Sequence, residues 1–229
     1  MALACMCFGC FQVVASRADP VLIFLDTEFT DLLNPELLSL GLVTLDGREH
    51  YAELDLTTDA GQARVKASSD FVRYGGVLGF WGLVAGATGT EWEMGRRTGE
   101  WLLALAKESD TRIEVAFDYS MDYELMEYVI RDAGLWEQVR EVVLPVNVNP
   151  ITATITGELA AEECFRALGQ RGGRGLKRHH ALADALALRA ACRWRPPGER
   201  TQPGNKQSVG PAAGTDPNDG FKKQCDHRS

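Results

Sequence analysis

The chain has 229 residues, 45% of them hydrophobic and 24% charged, the make-up of a domain large enough to bury a core rather than of a fibrous or disordered chain. No run of 18 or more apolar residues occurs, which argues against a membrane-spanning helix. The formal charge of −8 argues against a protein whose affinity rests on a broadly basic surface.

The opening segment, residues 1–19, is apolar and Cys-rich but lacks the basic start and unbroken apolar run of a secretory signal, so a cytoplasmic location is expected. Cys5, Cys7 and Cys10 crowd this end while Cys164, Cys192 and Cys225 are scattered. That pattern is no disulfide framework, and free thiols are expected. The trio's C-x-C-x-x-C spacing has no second cluster to complete a zinc site. Residues 195–229 hold five of the nine prolines and almost no apolar residues, which reads as a disordered tail. A single folded domain is therefore expected over residues 20–194. It retains 17 of the 24 basic and 27 of the 32 acidic residues, an excess of acid explained if some carboxylates are ligands for bound cations.

Within it, residues 21–26 (VLIFLD) form a short apolar run typical of a central strand covered on both faces. Residues 37–46 and 49–56 flank Asp46-Gly47, a hairpin signal that predicts an antiparallel pair. Residues 57–90 are Gly-rich and poorly periodic and read as a loop over the site. A helix is expected over 91–107, with Met94, Trp101, Leu102 and Leu105 at helical spacing, then a strand over 112–117. A helix over 121–134 ends at Gly134, a strand follows at 139–146, and a helix over 156–168 stops at Gly169. The last helix is expected over 180–194. Alternating strands and helices predict an α/β fold, a mixed central sheet flanked by helices.

Three carboxylate positions stand out against this layout. Asp26 and Glu28 lie two apart at a strand end, so strand alternation points both side chains to one face. Two anions held that close repel unless a cation lies between them, and hard oxygen ligands select Mg²⁺ or Mn²⁺. A solvated strand end is the alternative. Asp184 shares its helix face with Ala181, Ala187, Leu188 and Ala191. A buried carboxylate there needs a cation, a hydrogen-bond cage or a proton, and pairing with Arg189 or Lys177 is the structural alternative. His180, four residues before Asp184, falls beside it. His179 belongs to the preceding loop and is the better candidate for a general base near neutral pH.

DTEF at 26–29, MDYELM at 121–126 and HHALADA at 179–185 together resemble the three ordered motifs of the DEDDh branch of the DEDD exonuclease superfamily. That group includes RNase T, oligoribonuclease and the proofreading subunit of bacterial DNA polymerase III. The motifs span residues 21–190, and the chain is more similar to small bacterial and phage exoribonucleases than to proofreading subunits. The resemblance implies an RNase H-like three-layer fold and 3′-5′ exonuclease activity with two Mg²⁺ or Mn²⁺ ions. By position, Asp26 would bridge both ions, Glu28 and Asp184 would hold the nucleophile-side ion, and Asp122 would hold the second. His179 would deprotonate the attacking water, and the H-x-x-x-x-D spacing selects it over His180. The second motif departs from the pattern of many relatives: Asp118 and Asp122 both precede or open a helix, and Asp122 is chosen because Leu125 and Met126 match the usual continuation.

Arg166, Arg171, Arg174, Lys177 and Arg178 precede His179 in a Gly-rich stretch. Within an acidic chain this basic cluster is the natural phosphate contact, with a solvated loop as the alternative. Phe29 is placed to stack on a terminal base, or to pack in the core, and Thr27, between the two first-motif carboxylates, is expected to contact substrate as well. Single-stranded RNA is the preferred substrate and partner. A DNA 3′-exonuclease and a catalytically silent RNA- or protein-binding relative are the alternatives. A homodimer is the assembly that many members of the family form.

Overall fold

The computed structural model describes residues 20–170 and 175–193. The N-terminal segment with its Cys trio, Arg171, Arg174 and the tail lie outside the described residues. Cys164 and Cys192, within them, are free thiols.

Six strands form one mixed sheet: β1 (Val21–Phe29), β2 (Leu37–Thr44), β3 (Glu49–Leu54), β4 (Thr88–Gly89), β5 (Ile113–Phe117) and β6 (Val143–Asn147), in the spatial order β4-β3-β2-β1-β5-β6. The β1/β2 and β2/β3 pairs are antiparallel and the β3/β4, β1/β5 and β5/β6 pairs are parallel. The hairpin turns at Asp46-Gly47 as expected, with Gly47 at φ 103°, a left-handed conformation favourable to glycine.

Helices cover both faces. Ile23 and Leu25 of β1 pack with α3 (Glu91–Ser109) and α4 (Ser120–Asp132), through Met94, Leu102, Met126 and Ile130. Phe24 points the other way and meets Leu188 of α8 (Ala181–Arg193), which pairs with α7 (Ile155–Gln170). A complete capping box between Thr90 and Glu93 starts α3, and Gly134 at φ 73° follows the C-cap of α4. Among the described residues no helix is long and apolar enough to cross a membrane.

Two expectations are corrected. Residues 57–90 hold two short helices, α1 (Asp59–Ala67) and α2 (Asp70–Tyr74), a 3-10 turn at Leu78–Phe80 and β4. Thr58 and Ser69 cap the helices by accepting from the amides of Gly61 and Val72, local bonds that start a helix without apolar periodicity. The run read as a strand over 139–146 divides into a helical turn, α5 (Trp136–Val139), and β6. Trp136 and Val139, three apart, are both buried, so the helical spacing prevails to Val139, and a turn over residues 140–142 leads into β6. The remaining helix, α6 (Asn149–Thr152), follows β6 directly.

Candidate metal centre

Strand alternation sets the site. Asp26 and Glu28 project from the α8 face of β1, as Phe24 does, and the intervening Thr27 projects from the α4 face. Asp184, in the first turn of α8, reaches the same place because α8 starts directly over β2. A Cβ added to Gly41, the register partner of Asp26, would lie 2.5 Å from the Ala181 carbonyl group. No side chain larger than hydrogen permits that approach without moving α8.

Carboxylate oxygens of Asp26, Glu28 and Asp184 lie within 4.8 Å of one another, and so do those of Asp26, Asp118 and Asp122. The two groups share Asp26. Asp118 directly follows β5, and Asp122 sits one turn later in α4, at the carboxyl ends of two parallel neighbours, β1 and β5. Asp118, treated in the sequence as the alternative to Asp122, stands beside it; both belong to the second group.

Few donors offset this charge. Asp122, 3% exposed, accepts from the Thr27 hydroxyl at 2.7 Å and the Thr27 amide at 3.2 Å, both at Oδ1. Asp184 Oδ2 accepts from the His179 amide at 2.7 Å, and neither Arg189 nor Lys177 forms an ion pair with it among the described residues. Burial, followed by repulsion from Asp184 and Asp122, raises the Glu28 pKa to about 8. Burial raises Asp184 to about 7 against the opposing His179 amide and Arg178, and Asp122 to about 7 against the Thr27 hydrogen bonds. Asp26 lies well above the usual carboxylate range, through burial first and then Asp184, Asp122, Glu28 and Asp118. Asp118 is raised by burial as well. Five partly or wholly buried carboxylates with so few donors form a hard-oxygen set suited to divalent cations.

His179 adopts a left-handed conformation, φ 67°, which turns the chain between the preceding loop and α8. Its ring meets Phe71 of α2 edge-on at 4.9 Å between centroids. Burial, then the neighbouring Arg178, lowers its pKa, leaving the imidazole neutral and able to accept a proton at neutral pH. His180, expected within the helix, instead precedes it: its carbonyl accepts from Ala183 and Asp184, and its Nδ1 accepts from Leu182 at 3.3 Å.

The other expected contacts divide. Thr27 is 5% exposed and its hydroxyl is used on Asp122, so it orients a carboxylate. Phe29 packs against the core and stacks on Tyr119 at 6.3 Å. Lys177 is exposed. Arg178 pairs with Glu162 and lies over the Phe165 ring at 4.7 Å. Arg178, Asp26, Asp118 and Asp184 line a cleft of 560 Å³ together with Asn149, Ile155, Leu159 and Phe165. Phe71 and Gly41 were missed in the sequence. The Ser69 cap could have placed Phe71 in a short helix, but only the folded packing shows Ala181 above Gly41.

No protein-family model matches the chain, and no curated protein matches it.

Proposed function

We propose that this protein is a divalent-metal-dependent 3′-5′ exonuclease of DEDDh type that removes nucleoside 5′-monophosphates from single-stranded RNA. The observation that carries the reading is the sharing of Asp26 between two carboxylate groups, the arrangement needed to hold two ions side by side. The mixed sheet with helices on both faces is compatible with the RNase H-like fold implied by the motifs. Asp26, Glu28 and Asp184 would hold one Mg²⁺ or Mn²⁺ ion and Asp26, Asp118 and Asp122 the other. Bound there, such ions supply Lewis-acid stabilisation of the attacking and leaving oxygens of an in-line displacement.

The chain's own residues supply the rest. His179, neutral because burial and Arg178 disfavour its protonation, takes the proton from the attacking water. The hydrogen bond from its amide to Asp184 ties base and ligand to one turn. Thr27 fixes Asp122. Arg178, at the cleft wall, and Lys177, exposed before it, meet substrate phosphates. The cleft is of a size that fits a nucleotide unit, and the acidic body favours a short single strand over a long duplex.

The test is digestion of 5′-labelled single-stranded RNA and its DNA copy with Mn²⁺, beside EDTA and Asp26→Ala controls. A 3′-shortening ladder that disappears with either control is expected, faster on RNA. A faster DNA ladder would reassign the substrate. Intact RNA and DNA with folded, Mn²⁺-treated protein would leave a binding module as the better account.

A further inference from the structure

A second buried polar assembly lies two strands from the carboxylates. Glu53 of β3 is fully buried. Its Oε1 accepts from the Gly82 amide at 3.0 Å and the Thr88 hydroxyl at 2.8 Å, and its Oε2 accepts from the Tyr51 hydroxyl at 3.0 Å. Tyr51, 8% exposed, stacks on His180 with 4.5 Å between ring centroids and 25° between planes. His180 is 2% exposed. Its Nδ1 accepts the Leu182 amide, so the ring proton of the neutral form resides on Nε2, where no partner meets it. The ring is therefore held by stacking on Tyr51 and by one bond at the start of α8.

The same assembly grips the histidine loop from another side. Glu53 anchors the loop around Gly82 and Thr88, and that loop's Val84 and Ala87 pack in one apolar cluster with Tyr51, Leu176, Ala181 and Leu182. Both ends of the left-handed corner at His179 thus rest on Tyr51 or on the loop that Glu53 holds. An all-apolar core would fill this space without a buried carboxylate, whose desolvation is costly. What the polar assembly adds is one fixed ring position below His180.

The geometry points to Tyr51, fixed by Glu53, as a positioning residue that sets the conformation of the His179-His180 corner and so the aim of the His179 imidazole. This inference rests on the reading of His179 as general base, but its structural part stands apart from activity. Tyr51→Phe keeps the stacked ring and loses the hydroxyl. Tyr51→Leu keeps an apolar side chain and loses the ring.

The experiment compares wild type, Tyr51→Phe, Tyr51→Leu and His179→Ala in three readouts: imidazole NMR across a pH titration, Mn²⁺ affinity without RNA, and the pH profile of RNA shortening. Tyr51→Leu is expected to lower kcat about 10- to 100-fold with KM and Mn²⁺ affinity within about two-fold, and to move the acidic limb of the profile. Its His179 ring signals should shift too, and Tyr51→Phe, which keeps the ring but frees it from Glu53, should fall between wild type and Tyr51→Leu in kcat and in His179 shifts. Unchanged His179 signals and an unchanged profile in Tyr51→Leu, even with a lowered Tm, would overturn the inference. Wild-type activity undiminished in His179→Ala, or no activity in any form, would overturn the base reading alone, since the NMR arm still decides whether Tyr51 sets the corner.

Discussion

Glu28 and Glu53 are aligned across the sheet, both opposite Ser39 in register, yet they sit in opposite electrostatic circumstances. Glu53 is enclosed by three donors from its own chain. Glu28 and its four neighbouring aspartates share few donors, and burial raises the pKa of all five, with repulsion from neighbouring carboxylates adding to it at Asp26, Glu28, Asp122 and Asp184. The first carboxylate is satisfied by the fold and serves it. The second group is stable only with protons or cations added from outside, which is the mark of a binding site rather than of a structural network.

Replacing the shared ligand should break that contrast most strongly. Asp26→Asn is expected to lower kcat/KM by at least about 10³-fold and to abolish the Tm rise on adding Mn²⁺. Because it removes a repelling charge, the metal-free variant should be more stable than wild type at about pH 8, by roughly 1–2 kcal/mol. Denaturant melts with EDTA check the sign: a destabilised variant would mean that Asp26 is paired in the metal-free fold. Glu53→Leu should do the reverse. The buried Tyr51 hydroxyl and two part-buried donors lose their acceptor, and a loss of about 2 kcal/mol is expected with Mn²⁺ affinity changed by less than about three-fold.

Asp118→Asn sharpens the second group. If Asp118 is a ligand alongside Asp122, calorimetric titration should show one of two Mn²⁺ steps weakened about ten-fold with the other unchanged. Two unchanged steps would restrict that group to Asp26 and Asp122.

The pH dependence follows from the raised carboxyl groups. A group whose folded pKa exceeds its unfolded value contributes stability that is complete below the unfolded value and lost as pH rises through the folded one. With Glu28 at about 8 and Asp122 and Asp184 at about 7, this contribution to metal-free stability is lost progressively between about pH 4 and 8. Divalent ions replace the protons, so the Tm increment from Mn²⁺ should grow across that window. An increment independent of pH would disconnect the ions from these carboxylates.

The same contrast explains what was legible in the chain. Asp26, Glu28 and Asp184 could be read because alternation and helical spacing are local rules, and the fold adds only their convergence. The strand at β1, the hairpin at Asp46-Gly47 and the helices α3, α4 and α8 follow the same logic. Glu53 looked like any strand carboxylate, since its three donors come from positions two to thirty-five residues away. The pairing of Asp118 with Asp122 was hidden similarly: a choice between two residues in sequence becomes a group of three once β1 and β5 lie side by side. The helices α1 and α2 were missed because their signals are caps rather than periodicity.

The smallest effect concerns the basic residue beside the acid. Arg178 is already occupied by Glu162 and Phe165, and the pair is substantially exposed, so its contribution to stability is small. Its field nonetheless opposes the burial that raises Asp184. Binding a phosphate requires the guanidinium to exchange the Glu162 carboxylate for a phosphate oxygen, a near-balanced exchange between two charge-assisted bonds. Arg178→Ala should therefore raise KM for RNA only about three- to ten-fold, leave kcat within about two-fold and reduce the salt dependence of binding by about one phosphate contact. Glu162→Gln, which frees the guanidinium, should lower KM. If both variants move KM in the same direction, the pair acts as a strut for the cleft wall and the phosphate contact falls to Lys177.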